Sequence, residues 1–280
     1  MIEDIYVGLR DAGDETAQLA TGFAAAQGLQ LEVADLLLPE LMEDAPAREA
    51  VLARWKAQMQ ETGFKGKLSL HAPMTDLNPV SEDRLIAKAS RGRYVQAVET
   101  AKQLGAKYLI VPSHYSTLIK AENRTSKWLG DMTKFWEQLI GRAVEGSGLV
   151  MLIHNTMGET SEHVKTIVNR LSSPNLRAAF SVGHAEIFSK RSPNDWVDEL
   201  GNMLAYVQVS NNDGKTLIPE DFETGQIDLE SFLNHLSLLT HSVSLSMVGQ
   251  SMNTLETDHL LLQPFLKMQE EVFHSKSFLV

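Results

Sequence analysis

Four of the nine histidines stand at matching places in successive segments of the chain. His71 closes Leu68-Ser69-Leu70-His71, His114 follows Val111-Pro112-Ser113, His154 follows Leu149–Ile153, and His184 follows Val182-Gly183. Imidazole has an ordinary pKa near 6.5, so it gives or takes a proton at neutral pH, and its neutral form ligates transition metals. The spacing therefore lets side chains from adjacent segments converge on a single metal ion. Zinc bonds to imidazole are near 2.0–2.1 Å. The chain has no cysteine, which excludes thiolate ligands and disulfides. The ordinary alternative is that each histidine is a hydrogen-bonded structural residue and no metal is bound. His163, His235, His241, His259 and His274 receive no role.

Other polar groups are weaker signals. Glu32 and Asp35 close the second apolar run, and the start of a solvated loop is favoured there over a carboxylate given to the site. Asn211-Asn212-Asp213-Gly214 reads first as a turn and second as a set of ligand-facing polar groups.

The elements that would position these residues alternate regularly. Eight short apolar, β-branched runs are legible: Ile5–Leu9, Leu29–Val33, Leu68–His71, Tyr108–Pro112, Leu149–Ile153, Arg177–Val182, Ala205–Val209 and Ser242–Val248. Amphipathic stretches follow near 15–26, 47–62, 81–104, 127–146, 160–172, 193–203, 228–239 and 255–272. Ser81, Ser161, Ser192-Pro193 and Asp228 supply helix-start chemistry, and Gly63, Gly105 and Gly148 fall near helix ends. Repeated βα units make an α/β protein with a parallel sheet. The length of 280 residues suits a single-domain (β/α)8 TIM barrel over 1–280, a fold of about 250 residues. A doubly wound open sheet is the competitor, but no G-x-G-x-x-G or G-x-x-x-x-G-K-[ST] element follows any run. In a barrel, the strand ends carrying the four histidines open into the mouth where active sites lie.

The formal net charge of −11, without a Lys/Arg run, disfavours a nucleic-acid partner. No apolar stretch reaches the roughly 18 residues of a spanning helix, and Met1-Ile2-Glu3-Asp4 lacks a basic leader, so the expectation is a cytoplasmic protein. Hydrophobic residues at 43% provide for a large core, and Trp55, Trp128, Trp136 and Trp196 fall in helices, where packing on the barrel is their ordinary use.

Taken in order, several pieces resemble the xylose isomerase-like superfamily of sugar isomerases, epimerases and endonuclease IV-type nucleases. They are His71-Ala72-Pro73 with Asn78, Ala101–Ala106 leading to Val111-Pro112-Ser113-His114, Asn155, Val182-Gly183-His184-Ala185, and Val209–Gly214 with Gly225-Gln226-Ile227-Asp228. The resemblance implies a metal centre with Glu after strand five, Asp three residues before the strand-six His, His on strand seven and Glu on strand eight. This sequence has His154, Ser181, Gln208 and Ser246 there. Leu217 and Pro219 stand where the nucleases carry an Asp-x-His pair, which argues against a nuclease centre.

In the nuclease branch the resemblance implies an ion shared by the histidines at positions 71 and 114 and the strand-five Glu, so a site here would be a tri-histidine version, one divalent ion, zinc or manganese, on His71, His114 and His154. The resulting expectation is a sugar or polyol isomerase or epimerase with a depleted, histidine-rich metal site. His154 and His184 are its catalytic candidates, and Asn78, Asn155, Gln208 and Asn211 its substrate-binding candidates. The alternative is a non-catalytic barrel that has lost the metal and binds a small molecule or a protein.

Overall fold

The computed structural model describes residues 1–9, 14–34, 38–74 and 76–277. Asp35 lies outside the described residues. The strands are β1 (Ile2–Leu9), β2 (Gln30–Val33), β3 (Leu68–His71), β4 (Tyr108–Pro112), β5 (Val150–His154), β6 (Leu176–Ser181), β7 (Leu204–Val209) and β8 (Val243–Gly249). All pair in parallel with their sequence neighbours, and β8 returns to β1, closing the barrel. The fold is the (β/α)8 barrel expected from the alternation.

The helices are α1 (Asp14–Gln27), α2 (Pro39–Glu43), α3 (Ala45–Thr62), α4 (Arg84–Gln103), α5 (Thr117–Ala121), α6 (Thr125–Leu139), α7 (Glu162–Leu171), α8 (Val182–Phe188), α9 (Pro193–Leu200), α10 (Leu229–Leu236) and α11 (Met252–Ser277). Their boundaries follow local chemistry. Asp83 caps α4 by accepting from Leu85 and Ile86 N–H, Asp228 caps α10 through Ser231 N–H, and Ser192 with Asp195 forms a capping box ahead of α9. Ser161 precedes α7 without a side-chain cap, because its hydroxyl donates to Glu199 instead.

Successive strand residues face opposite ways, so every second residue enters the lumen. Leu31, Val33, Leu70, Leu109, Val111, Met151 and Ile153 join the large outer core between strands and helices. The alternate set, Tyr6, Tyr108, Ile110, Leu152, Ala179 and Tyr206, fills the lumen as a separate cluster. Its three tyrosines pack with ring centroids 5.1, 5.5 and 6.2 Å apart, building an aromatic floor beneath the mouth. At the opposite end, Lys67 pairs with the buried Asp4 at 2.6 Å.

The same alternation fixes what stands one layer above the floor. His154 lies two residues beyond Leu152, and Gln208 two beyond Tyr206, so both face inward at the C-terminal rim. The strand register puts Ser181 beside Gln208 and Gln208 beside Ser246. Four positions at which the resemblance implies metal ligands or their neighbours thus converge here with small or neutral side chains.

Candidate functional site

The central group of the mouth is Glu32, for which the sequence favours a solvated loop. Instead it points into the lumen from β2 and is buried. Its Oε1 accepts from His71 Nε2 at 2.7 Å and from Gln208 Nε2 at 2.6 Å, and its Oε2 accepts from Tyr206 OH at 2.6 Å. Tyr206 OH also meets Ser69 Oγ at 2.9 Å. Burial by itself would raise the carboxyl pKa, but the His71 imidazole and the bonds from His71 and Tyr206 hold it below the ordinary value. Glu32 is therefore an anion at neutral pH. Gly8 of β1 leaves the space it occupies, since a Cβ there would meet Glu32 Cβ at 3.2 Å.

This arrangement fixes the His71 tautomer. The nitrogen facing a carboxylate at 2.7 Å must carry the proton, because two lone pairs at that distance would repel. In the neutral ring Nδ1 is then the lone-pair nitrogen. Gln208 Nε2 lies 2.8 Å from His71 Nε2, so both donors serve one carboxylate oxygen. A flipped Gln208 amide would set its oxygen against that oxygen, which excludes the flip.

A second group lies at the ends of β5 and β6. The rings of His154 and His184 stand 4.8 Å apart and nearly perpendicular. His154 Nδ1 accepts from Thr156 N–H at 3.1 Å, placing its proton on Nε2. His184 Nδ1 meets Thr156 C=O at 3.0 Å and so donates, leaving the lone pair on Nε2. One residue's backbone imposes opposite tautomers on the pair. Thr156 is itself held by Ser113 Oγ at 2.9 Å and adopts a positive φ of 21°.

The remaining expected site residues are placed differently. Asn155 ties both ends of its amide to Ser181, donating to its carbonyl at 3.0 Å and accepting from its N–H at 2.8 Å. Asn211 is fully buried; it donates to the carbonyls of Phe222 and Ile227 and accepts from the N–H of Ile227 and Asn212. Both are clasps that shape the rim. Asn78 holds Val80 N–H at 3.2 Å and lines a crevice of about 360 Å3 that also contains His114, Arg124 and Trp128.

His114 is the member of the expected metal set that stands apart. Its ring is bonded to Tyr94 OH and to the backbone of Leu77, and burial pushes its pKa down to about 4. It also occupies left-handed backbone at φ 57°. His71 Nε2 and His154 Nδ1 are likewise engaged, and among the described residues no group of three or more His, Asp or Glu side chains is arranged to hold a metal ion. The tri-histidine set does not fit a divalent cation.

Comparisons with known proteins agree with the architecture. The D-tagatose 3-epimerase-like protein superposes with a TM-score of 0.73 at 18% identity, covering 97% of this chain and 100% of that one. A Thermus thermophilus protein soaked with ZnCl2 gives a TM-score of 0.70 at 20% identity, covering 94% and 98%. D-Allulose 3-epimerase from Methylomonas sp., in complex with D-allulose, gives 0.66 at 16%, covering 91% and 89%. At these identities the likeness is one of fold. The family model for the xylose isomerase-like TIM barrel matches residues 20–245, most of the chain. With the closed eight-stranded barrel, this makes the chain a member of the xylose isomerase-like TIM barrel family.

Proposed function

We propose that this chain is an isomerase- or epimerase-type enzyme that moves a proton on a small sugar- or polyol-like hydroxy-carbonyl compound at the barrel mouth. The observation that carries this is the His154/His184 pair. A hydrogen-bond donor at His154 Nε2 and a lone pair at His184 Nε2, with rings 4.8 Å apart, let the pair take up one proton as an imidazolium and give it back. The rim around them is polar and hydrogen-bonding, as a hydroxyl-rich ligand requires. A fold neighbour holding D-allulose supports the ligand class.

The direct test incubates the full chain with D-allulose and D-fructose in D2O and follows carbon-bound deuterium and sugar interconversion. Conversion reduced at least ~100-fold in H154N and H184N, the scale of a lost acid–base group, is the expected result. Absence of conversion by the wild type overturns the enzymatic reading; sugar binding without conversion would identify a binding barrel instead.

A further inference from the structure

Epimerisation removes a proton from one face of a carbon and returns one to the other, so it needs acid–base groups in more than one sector of the mouth. His154 and His184 serve one sector, at the ends of β5 and β6. We propose that Glu32 and His71 form a carboxylate–imidazole dyad at the end of β3. In it, His71 Nδ1 is the second proton-transfer atom and Glu32 is its positioning residue. This rests on the hydroxy-carbonyl reading above.

Three observations converge. The tautomer imposed by Glu32 leaves the His71 lone pair on Nδ1, away from the carboxylate. The His71 side chain is 16% exposed and that of Glu32 4%, so the imidazole is the member that reaches a ligand. The carboxylate is over-determined: His71, Gln208 and Tyr206 fix both of its oxygens, and Ser69 backs the tyrosine. A buried anion held this firmly orients the imidazole and stabilises the cation formed when Nδ1 takes a proton. Gln208 thereby acquires a role that a metal ligand at the same position would not have. It supplies an uncharged donor that keeps Glu32 in place.

The step balances with water as its only co-reactant. The C–H bond beside the carbonyl breaks and its proton passes to His71 Nδ1. The bonding pair becomes the C=C of an enediolate as the carbonyl π pair moves to oxygen. Return of a proton to that carbon from the His154/His184 pair, carrying one extra proton as an imidazolium, restores the carbonyl with inverted configuration, and water then takes the proton from His71 and returns one to the pair. The reverse reaction exchanges the two roles.

The experiment uses the full chain after EDTA dialysis, with D-allulose and D-fructose as probes in D2O. H71N is expected to lower exchange at least ~100-fold with the circular dichroism spectrum unchanged. E32Q is expected to lower kcat with little change in KM and E32D to restore part of it, a split and rescue that a purely structural role would not produce. To cover the case in which E32Q fails to fold, 15N NMR of histidine-labelled wild type is the second readout, with neutral His71 expected as the Nε2–H tautomer. An Nδ1–H tautomer overturns the dyad whether or not a substrate turns over. Wild-type exchange that H71N leaves unchanged overturns the dyad while the enzymatic reading stands. Wild-type silence overturns that reading and removes the reaction on which the dyad's role depends.

Discussion

His154 and His184 face each other with rings 4.8 Å apart and 88° between their planes, and the N–H and C=O of Thr156 set their opposite protonation patterns. The pairing depends on the placement of one peptide segment rather than on a charged partner. 15N shifts of histidine-labelled wild type are expected to show neutral His154 as the Nε2–H tautomer and neutral His184 as the Nδ1–H tautomer. Either ring in the other tautomer would contradict the assignment.

Removing the Glu32 carboxylate leaves three donors, those of His71, Gln208 and Tyr206, facing an empty centre. Glu32→Ala is expected to destabilise the barrel by about 3–5 kcal/mol at pH 7, measured by urea denaturation. The pKa is depressed in the folded state, so the stabilisation is fully present above the unfolded value near 4.3 and is lost as pH falls through the folded value. The gap between wild type and variant should therefore close on acidification. A gap that widens below pH 4 contradicts the buried anion.

His163 stacks on Tyr115 at 4.5 Å, and burial pushes its pKa down to about 4. Here the sign runs through a base kept neutral. Between about pH 6.5 and 4 the unfolded chain binds a proton that the folded one refuses, costing roughly 1.4 kcal/mol per pH unit and about 3 kcal/mol in all. His163→Phe should flatten the fall in denaturation midpoint between pH 7 and 5. An equally steep fall in the variant would exclude His163 as a source, leaving His114 to account for it.

A Cβ on Gly225 would lie 2.1 Å from Asn211 Oδ1. Gly225→Ala must displace the amide that ties residues 211–227 together. Hydrogen exchange should show lost protection at Ile227 N–H, with an overall cost of about 1–3 kcal/mol. Full protection in the variant would show that the loop is held by something else.

EDTA dialysis should leave the melting temperature unchanged, because the buried Glu32 carboxylate is held by His71, Gln208 and Tyr206. A drop of several degrees, reversed by zinc or manganese, would show that an ion organises the site.

The barrel is legible in the sequence because its information is local. Apolar runs recur with turn chemistry between them, and Ser192-Pro193 and Asp228 cap helices that follow. His154 and His184 are legible as a pair because their strands are neighbours. Glu32 escapes a local reading because its partners are 39, 174 and 176 residues away, and no local rule joins β2 to β7. One signal is present: a lone charged residue between Leu31 and Val33, which both face the helices, has to face the lumen. The backbone-clasping role of Asn155 and Asn211 escapes a local reading for a related reason. Polar residues at strand ends look like ligand groups, while the backbone amides they satisfy are invisible in a sequence.

The Glu32 cluster also bears on how such a barrel can change over generations. Gln208→Ala, taken alone, removes the amide that serves Glu32 Oε1, and the buried carboxylate loses a donor. Positions 32 and 208 should therefore be strongly epistatic, with a coupling energy of about 0.5–3 kcal/mol in a double-mutant cycle. Additive effects would show the two to be independent. Strong coupling would make the cluster a ratchet, in which replacing it requires several coordinated substitutions and single steps are penalised.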